Sequence, residues 1–314
     1  MDVHQLKLLR ELGELGSVTA VAETLYVTPS AVSQQLAQLQ RQVDVPLTRK
    51  QGRSLVLTEA GRALAEASLE VMQAMARARA AVEGHLDAPS GTVTVSPFHS
   101  AGQALFGVLL QKLQQHPGLE LRLADEDVAE SDFPALTGRY DLVLAHRMSH
   151  SEDWASSNIS VTALAEEPFD IVLPTEHPLA SRTSLRPQDV AGEAWVTSRA
   201  GFSPDDVLSA IAVLADQPVR VAHRVNDYAA VAAIVAHGGG VLGLLPRLLG
   251  TANLPSGLVL RPLEGIHTRR RIDLLSRPEN LARRSVQLVA QALQDVLSEL
   301  QENLPIVSEL PGKP

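Results

Sequence analysis

The chain has 314 residues, with 27 basic and 36 acidic side chains and a formal net charge of −9. Its hydrophobic share of 45% and charged share of 20% are those of a globular protein with room for two or more domains. There is no cysteine, which excludes disulfides, Cys-ligated zinc and a thiol nucleophile, and no apolar run approaches the roughly 20 residues needed to span a bilayer. The opening MDVHQLKLLRELGELG lacks a basic start followed by an apolar core, so no secretion signal is expected and the cytoplasm is the expected compartment.

Leu6, Leu9 and Leu12, with Val3, Leu8 and Leu15 beside them, predict a first helix. Residues Ser17 to Val43 predict a helix pair. The first helix takes Ser17 as cap and turns Val18, Val21, Ala22 and Leu25 inward. The second has Thr28 as cap and Pro29 at its first position, where the missing N–H costs nothing. Val32, Leu36, Leu39 and Val43 follow one another at helical spacing and form one buried stripe. The opposite face carries Ser30, Ser33, Gln34, Gln38 and Arg41, side chains that can bond base edges or phosphates. The pair reads either as a groove-reading unit or as an ordinary helical hairpin.

Pro46 is the expected end of that helix. Gln51-Gly52 marks a turn before the strand-like Ser54–Leu57, so a small hairpin is predicted with Arg49, Lys50 and Arg53 near its tip. That tip suits phosphate contact or a solvated basic loop. Arg41, Arg49, Lys50 and Arg53 face only Asp44 in this stretch, while Glu120, Asp125, Glu126, Asp127, Glu130 and Asp132 concentrate acidity elsewhere. Phosphate binding needs a local basic surface, which an acidic protein can still present. Thr58 caps a long helix in which Leu64, Ser68, Val71, Met75, Ala78 and Val82 keep a heptad spacing, the pattern of a dimer seam or of a core helix. Asp87–Gly91 reads as a hinge.

Residues 1–91 closely resemble the LysR-type transcriptional regulators. The resemblance rests on AVAETLYVTPSAVSQQLAQLQ, then PLTRKQGRSLVLTEAG, then the long helix. Two positions depart from the family pattern: Leu47-Thr48 stands where Leu-Phe is usual, and Lys50 where arginine is usual. The resemblance implies a winged helix-turn-helix at 1–58, a linker and dimerisation helix with hinge at 59–90, and an effector domain at 91–304. That domain is expected to be two α/β lobes like a periplasmic solute-binding protein, lobe I being 91–160 with 268–304 and lobe II 161–267, before a tail at 305–314. Implied partners are promoter DNA, a second copy through the linker helix, a tetramer of such dimers and a small-molecule effector. No enzyme activity or cofactor is implied. Predicted DNA-contacting residues are Ser17, Thr28, Pro29, Ser30, Ser33, Gln34, Gln38, Arg49, Lys50 and Arg53.

The remaining pattern agrees. Val93–Val95, a helix Ala101–Gln115, Leu119–Leu123, and the buried run Leu142–Ala145 read as β-α-β-α-β, which predicts a parallel sheet. A second unit starts near Val161, with Asp170–Leu173 as its first strand, and a strand Arg271–Leu275 and helix Asn280–Leu300 cross back. In open α/β sheets ligands sit at strand carboxyl ends. That picks out Phe98, His99 and Ser100, with Ser100 a helix cap, a ligand contact, or both. The family cleft pattern adds His146 and Arg147 after the strand, Thr197, Ser198 and Asn226. Arg147 would suit a carboxylate, or would be a plain exposed arginine. Gly238–Gly243 matches a dinucleotide fingerprint but has helix before and strand after, so it reads as a helix cap and turn. His146 and His150 lack a third ligand, and neither a metal site nor a Ser-His-Asp set is predicted. The alternative reading overall is a small-molecule-binding module whose helical head contacts protein.

Overall fold

The computed structural model describes residues 1–302 apart from 53, 84–87, 127, 155–157, 249–253 and 267–268. Arg53, Asp127, Asp87 of the hinge and the tail at 305–314 lie outside the described residues.

The head comprises α1 (Val3–Leu15), α2 (Val18–Thr24), α3 (Pro29–Gln40), a hairpin of β1 (Thr48–Gln51) and β2 (Ser54–Leu57), and the long α4 (Glu59–Glu83). The caps follow from local chemistry. Ser17 Oγ accepts from Ala20 N–H at 3.5 Å, and Thr28 Oγ1 from Ala31 N–H at 3.2 Å. The structure corrects one boundary. Helix α3 ends at Gln40, well before Pro46, and the Gln40 amide pins the following loop. Its Oε1 accepts from Leu47 N–H at 2.8 Å while its Nε2 donates to the Val45 carbonyl at 2.9 Å. Gly52, at φ +62°, turns the hairpin. Leu8, Leu9, Leu12, Val21, Val32, Leu36, Leu39, Leu47 and Leu57 form the head's core, each fully buried aliphatic chain contributing roughly 2 kcal/mol.

The heptad seam divides in the single chain. Ser68 and Met72 are buried along with Ala65, and the Ser68 hydroxyl returns to the Ala65 carbonyl at 2.6 Å. Val71, Met75, Ala78 and Val82 stay exposed.

From Gly91 onward the chain forms β3 (Gly91–Pro97), α5 (His99–Leu113), β4 (Leu119–Leu123), α6 (Phe133–Leu136), β5 (Leu142–Met148) and β6 (Ser160–Pro174). It continues with α7 (Pro187–Val190), β7 (Ala194–Thr197), α8 (Ser203–Leu214), β8 (Arg220–Arg224), α9 (Tyr228–His237), β9 (Val241–Pro246), β10 (Leu258–Pro262), β11 (Arg269–Ser276) and α10 (Arg284–Glu302). The strands run in the order β4-β3-β5-β11-β6-β9-β7-β8, with β10 also on β6. Strand β3 is parallel to β4 and β5, and β7 to β8 and β9, while β11 is antiparallel to both neighbours.

Strand β6 belongs to both lobes. Residues 160–168 pair with β11, and 169–174 pair with β9 and β10. The expected separate strand at Asp170–Leu173 is therefore the second half of one long strand. Its first half, SVTALAEEP, carries Glu166, Glu167 and Pro168 just before the apolar run, which conceals the continuity. The two lobes keep separate cores, one around Val93, Leu105, Leu142 and Val289, the other around Phe169, Trp195, Ile211 and Leu242. Two further boundaries move. Strand β5 runs through His146 and Arg147 to Met148, because their polar groups find buried partners. Helix α10 starts at Arg284, since Arg277–Asn280 close a turn first. Gly238 caps α9, and Gly239 and Gly240 turn into β9 at φ +71° and +97°, as the cap-and-turn reading expects.

Candidate functional site

The polar face of α3 is uncovered. Thr28, Pro29, Ser30, Ser33 and Gln34 are all exposed, and Thr28 and Ser30 hydroxyls lie 2.9 Å apart. The cap thus also orders the side chain that follows it. Ser17 is half-buried at the start of α2. Gln38 turns inward: it accepts from Gln5 Nε2 at 3.5 Å, on α1. Arg49 and Lys50 are exposed on the hairpin. As neighbours on one strand they point to opposite faces, so only one of them shares a face with Gln51.

The second set converges between the lobes. Phe98, His99, Ser100, His146, Ser198 and Asn226 line one cavity together with Phe202, Pro204, Tyr228 and Arg270. Its volume is about 20 Å³, room for roughly one water, so the lobes are closed on each other. Ser100 does not cap α5. The helix begins at His99 with Phe98 in the capping position, which puts Ser100 in the first turn, buried, with its hydroxyl accepting from Arg270 Nη2 at 3.2 Å. Arg270 is buried at the cavity floor. It donates Nε to Glu167 at 2.6 Å and sits 4.7 Å from the Phe98 ring centroid. The guanidinium is neutralised by Glu167 and stacked on aromatic rings, hence its tolerance of burial.

His99 bridges the lobes. Its Nδ1 lies 2.7 Å from Asp125 of lobe I and its Nε2 3.0 Å from Asp227, which caps α9 of lobe II. The bond to Asp125 raises the His99 pKa most; burial opposes it, and the bond to Asp227 with the charges of both carboxylates adds to the rise. His146 behaves oppositely. Burial, then the nearby Arg270 charge, holds its pKa well below the ordinary value, so it is neutral. It packs edge-on against Phe98 and Phe133, and its Nδ1 is 3.3 Å from the Ser203 hydroxyl of lobe II.

Two predicted residues lie elsewhere. Arg147 points away from the cavity. Its guanidinium is taken up by Asp273 at 3.2 Å, Asp153 at 2.7 Å and the carbonyls of Ser151 and Glu152. Alternation along β5 puts it opposite His146. Thr197 is buried behind the lining, its hydroxyl without a hydrogen-bond partner among the described residues. The sequence reading missed Arg270. Three consecutive arginines at 269–271 look like a solvated run, but across the ladder Arg270 faces Glu167 and Arg271 faces Glu166. Among the described residues no group of three His, Asp or Glu could hold a metal, and no helix is long and apolar enough to cross a membrane. A larger groove of about 680 Å³ lies between α1 and the lobes and is walled by Glu14, Glu130, Glu152, Asp153 and Asp206.

A family model described as LysR substrate binding domain matches residues 86–298. Another, bacterial regulatory helix-turn-helix protein, lysR family, matches residues 3–62. The chain is 22% identical over 318 residues to the probable RuBisCO transcriptional regulator of Trichormus variabilis, covering 97% of this chain and 94% of that one. It is 25% identical over 289 residues to the transcriptional dual regulator GltC of Bacillus subtilis, covering 89% and 92%. Full-length OxyR from Pseudomonas aeruginosa shares the fold at a TM-score of 0.63 and 16% identity, covering 94% of this chain and 98% of that one. CbnR in complex with its target DNA does so at 0.50 and 18%, covering 93% and 100%. Matched by the one model over more than half its length and by the other over its head, the chain belongs to the LysR family: it is a LysR-type transcriptional regulator, with a helix-turn-helix DNA-binding head and an effector-binding domain.

Proposed function

We propose that the uncovered face of α3 reads the DNA sequence and that the hairpin holds the phosphate backbone, with 1–58 as the DNA-binding unit, 59–90 as linker and 91–304 as the effector domain. The observation that carries this is the exposed run Thr28–Ser30, Ser33 and Gln34 on a helix whose other face is wholly buried. Gln34 and Ser33, near Pro29 and Ser30, contact bases; Arg49, Lys50 and Arg53 contact phosphates. Gln38, held by Gln5, supports the helix more than it reads. The exposed stripe Val71, Met75, Ala78 and Val82 joins two copies, placing two recognition helices roughly 34 Å apart in successive major grooves; dimers pair into a tetramer that bends the DNA. The chain acts in the cytoplasm and is not an enzyme.

Between the lobes, Ser100, His99, His146, Ser198, Asn226 and Arg270 form the effector site. A cavity of about 20 Å³ admits no organic molecule, so the lobes open to load it. The effector shifts the balance between open and closed only by the difference in its affinity for the two. Arg147, consumed internally, does not bind it.

The test is a gel shift on the DNA upstream of the chain's own reading frame, in graded salt. Gln34→Ala should cost about 1–3 kcal/mol on the preferred duplex and little on an unrelated one. Arg49→Ala should weaken both alike and flatten the salt slope by about one. Identical behaviour of the two variants on both duplexes would overturn the division of roles.

A further inference from the structure

The head and lobe I touch, and what joins them is charge. Among the described residues, the head's buried core draws on residues between Leu8 and Ala65 and the effector-domain cores on residues from Val93 onward, and no buried apolar cluster spans the contact. Instead α1 meets the turn between β11 and α10. Arg277 donates Nη1 to Glu14 at 2.7 Å and Nη2 to both Glu11 oxygens at 3.1 and 3.2 Å. Arg10 donates to Glu11 at 3.1 Å and to Glu279 at 2.7 Å. Arg10 and Arg277 are each 2% exposed and Glu11 is fully buried. A second contact grips the turn of the helix pair. Arg139 donates to the Glu23 and Thr24 carbonyls at 3.2 Å and lies 4.2 Å over the Tyr26 ring. Gly138 permits this closeness, since a Cβ there would sit 2.9 Å from Glu11 Oε2.

Such an interface fixes orientation without being hard to separate. Coulomb attraction between buried ions is largely offset by the water they give up. Arg10 Nε, Arg277 Nε and Glu279 Oε2 are buried without partners among the described residues, and each regains water on separation. The docked head is therefore favoured by a modest margin, enough to hold one arrangement and small enough for a switch to overturn.

The same strand reaches the cleft. Arg270, near the start of β11, forms the cavity floor, and Arg277 follows directly after its end, roughly 23 Å away at strand rise. Between them Asp273 is buried and takes Arg147 Nε and Trp154 Nε1. Strand β11 is paired on both edges, with β5 throughout and with β6 across one register shift at Ile272/Asp273, so Arg270 and Arg277 sit at the two ends of one laddered strand. We propose that Arg277 latches the DNA-reading head to lobe I, and that β11 transmits the state of the cleft from Arg270 to that latch; the second half rests on the cleft being the effector site. The cleft thus addresses the head within one chain, beside any rearrangement between chains.

The chain lacks cysteine, so a pair of labels can be placed cleanly. Spin labels at Asp44→Cys on the head and Gln111→Cys on α5, diluted with unlabelled chain, report the intrachain distance in the full-length protein without DNA. One narrow distance is expected. Arg277→Met should lower the ratio of docked to free heads roughly a hundredfold, and Glu14→Gln, half-exposed and safe for folding, should do so in part. Arg270→Gln should broaden the distribution although it touches nothing in the head. A melting transition of the lobes unchanged in Glu14→Gln shows that the fold is intact. A broad wild-type distribution, or one indifferent to both Arg277→Met and Glu14→Gln, overturns the latch. Response to those two but none to Arg270→Gln overturns the transmission. No small molecule enters the measurement, so failure of the effector reading would not disturb the result.

Discussion

A Cβ on Gly61 would lie 2.0 Å from the Leu47 carbonyl oxygen, the same oxygen that accepts from Thr58 N–H at 3.0 Å. This close approach docks the hairpin on the first turn of α4, and a backbone oxygen cannot move aside as a flexible side chain could. Gly61→Ala should destabilise the head by about 1–3 kcal/mol, seen as faster hydrogen exchange over Thr48–Leu57 with the lobes unaffected. His99 makes a different kind of prediction. Donating to Asp125 and Asp227 together requires both ring N–H groups, hence the imidazolium. Its folded pKa is raised, so its contribution is complete below the ordinary histidine value and is lost as pH rises through the folded one. Raising the pH should loosen lobe closure, measured as lower amide protection factors at the start of α9 once the base-catalysed intrinsic rate is divided out; in His99→Ala that dependence should vanish. His146, with a depressed pKa, opposes this on the acid side, since acidification below the ordinary value favours states in which it can charge.

At the scale of elements, α4 carries the clearest expectation. Its exposed stripe is apolar along Val71, Met75 and Val82 in a helix otherwise rich in charge. Met75→Glu should weaken self-association roughly a hundredfold, read by sedimentation equilibrium, and should lower DNA affinity in step. Which elements could be read from sequence depended on where their partners lie. The caps at Ser17 and Thr28, the stripe through Val32, Leu36 and Leu39, and the hairpin turn at Gly52 involve neighbours within a few residues, and they were legible. Strand β5 continues past Ala145, although in sequence His146 and Arg147 look like the start of a loop. What buries them is Asp273, from β11, and Ser203, from the other lobe. Most of the cleft was legible from the strand-end rule and the family pattern. Its floor was not, since Arg270 becomes an interior residue only once β11 pairs with β6 and brings Glu167 beside it.

For the whole molecule, a net charge of −9 coexists with a basic hairpin because only five of the 36 acidic residues, Asp2, Glu11, Glu14, Glu23 and Asp44, lie in residues 1–58. Affinity for any duplex should therefore fall steeply with salt while the lobes alone bind none, a contrast that filter binding of the full chain and of residues 91–302 would expose. The pairing of β6 with β11 has a consequence for how such a chain can be built and rebuilt. Pro168 and Arg269 stand opposite each other in the ladder, so the whole of lobe II leaves and re-enters through one strand pair. Lobe II is a parenthesis in the chain: among the described residues, Leu248 is its one contribution to the buried core of lobe I. Closing that parenthesis with a two-residue hairpin turn between 168 and 269 should leave the head and lobe I folding in one cooperative transition by calorimetry. It also makes lobe II an interchangeable cassette, so that recombination at these two positions could give the same DNA-reading head a new chemical sense without redesigning its remaining contacts.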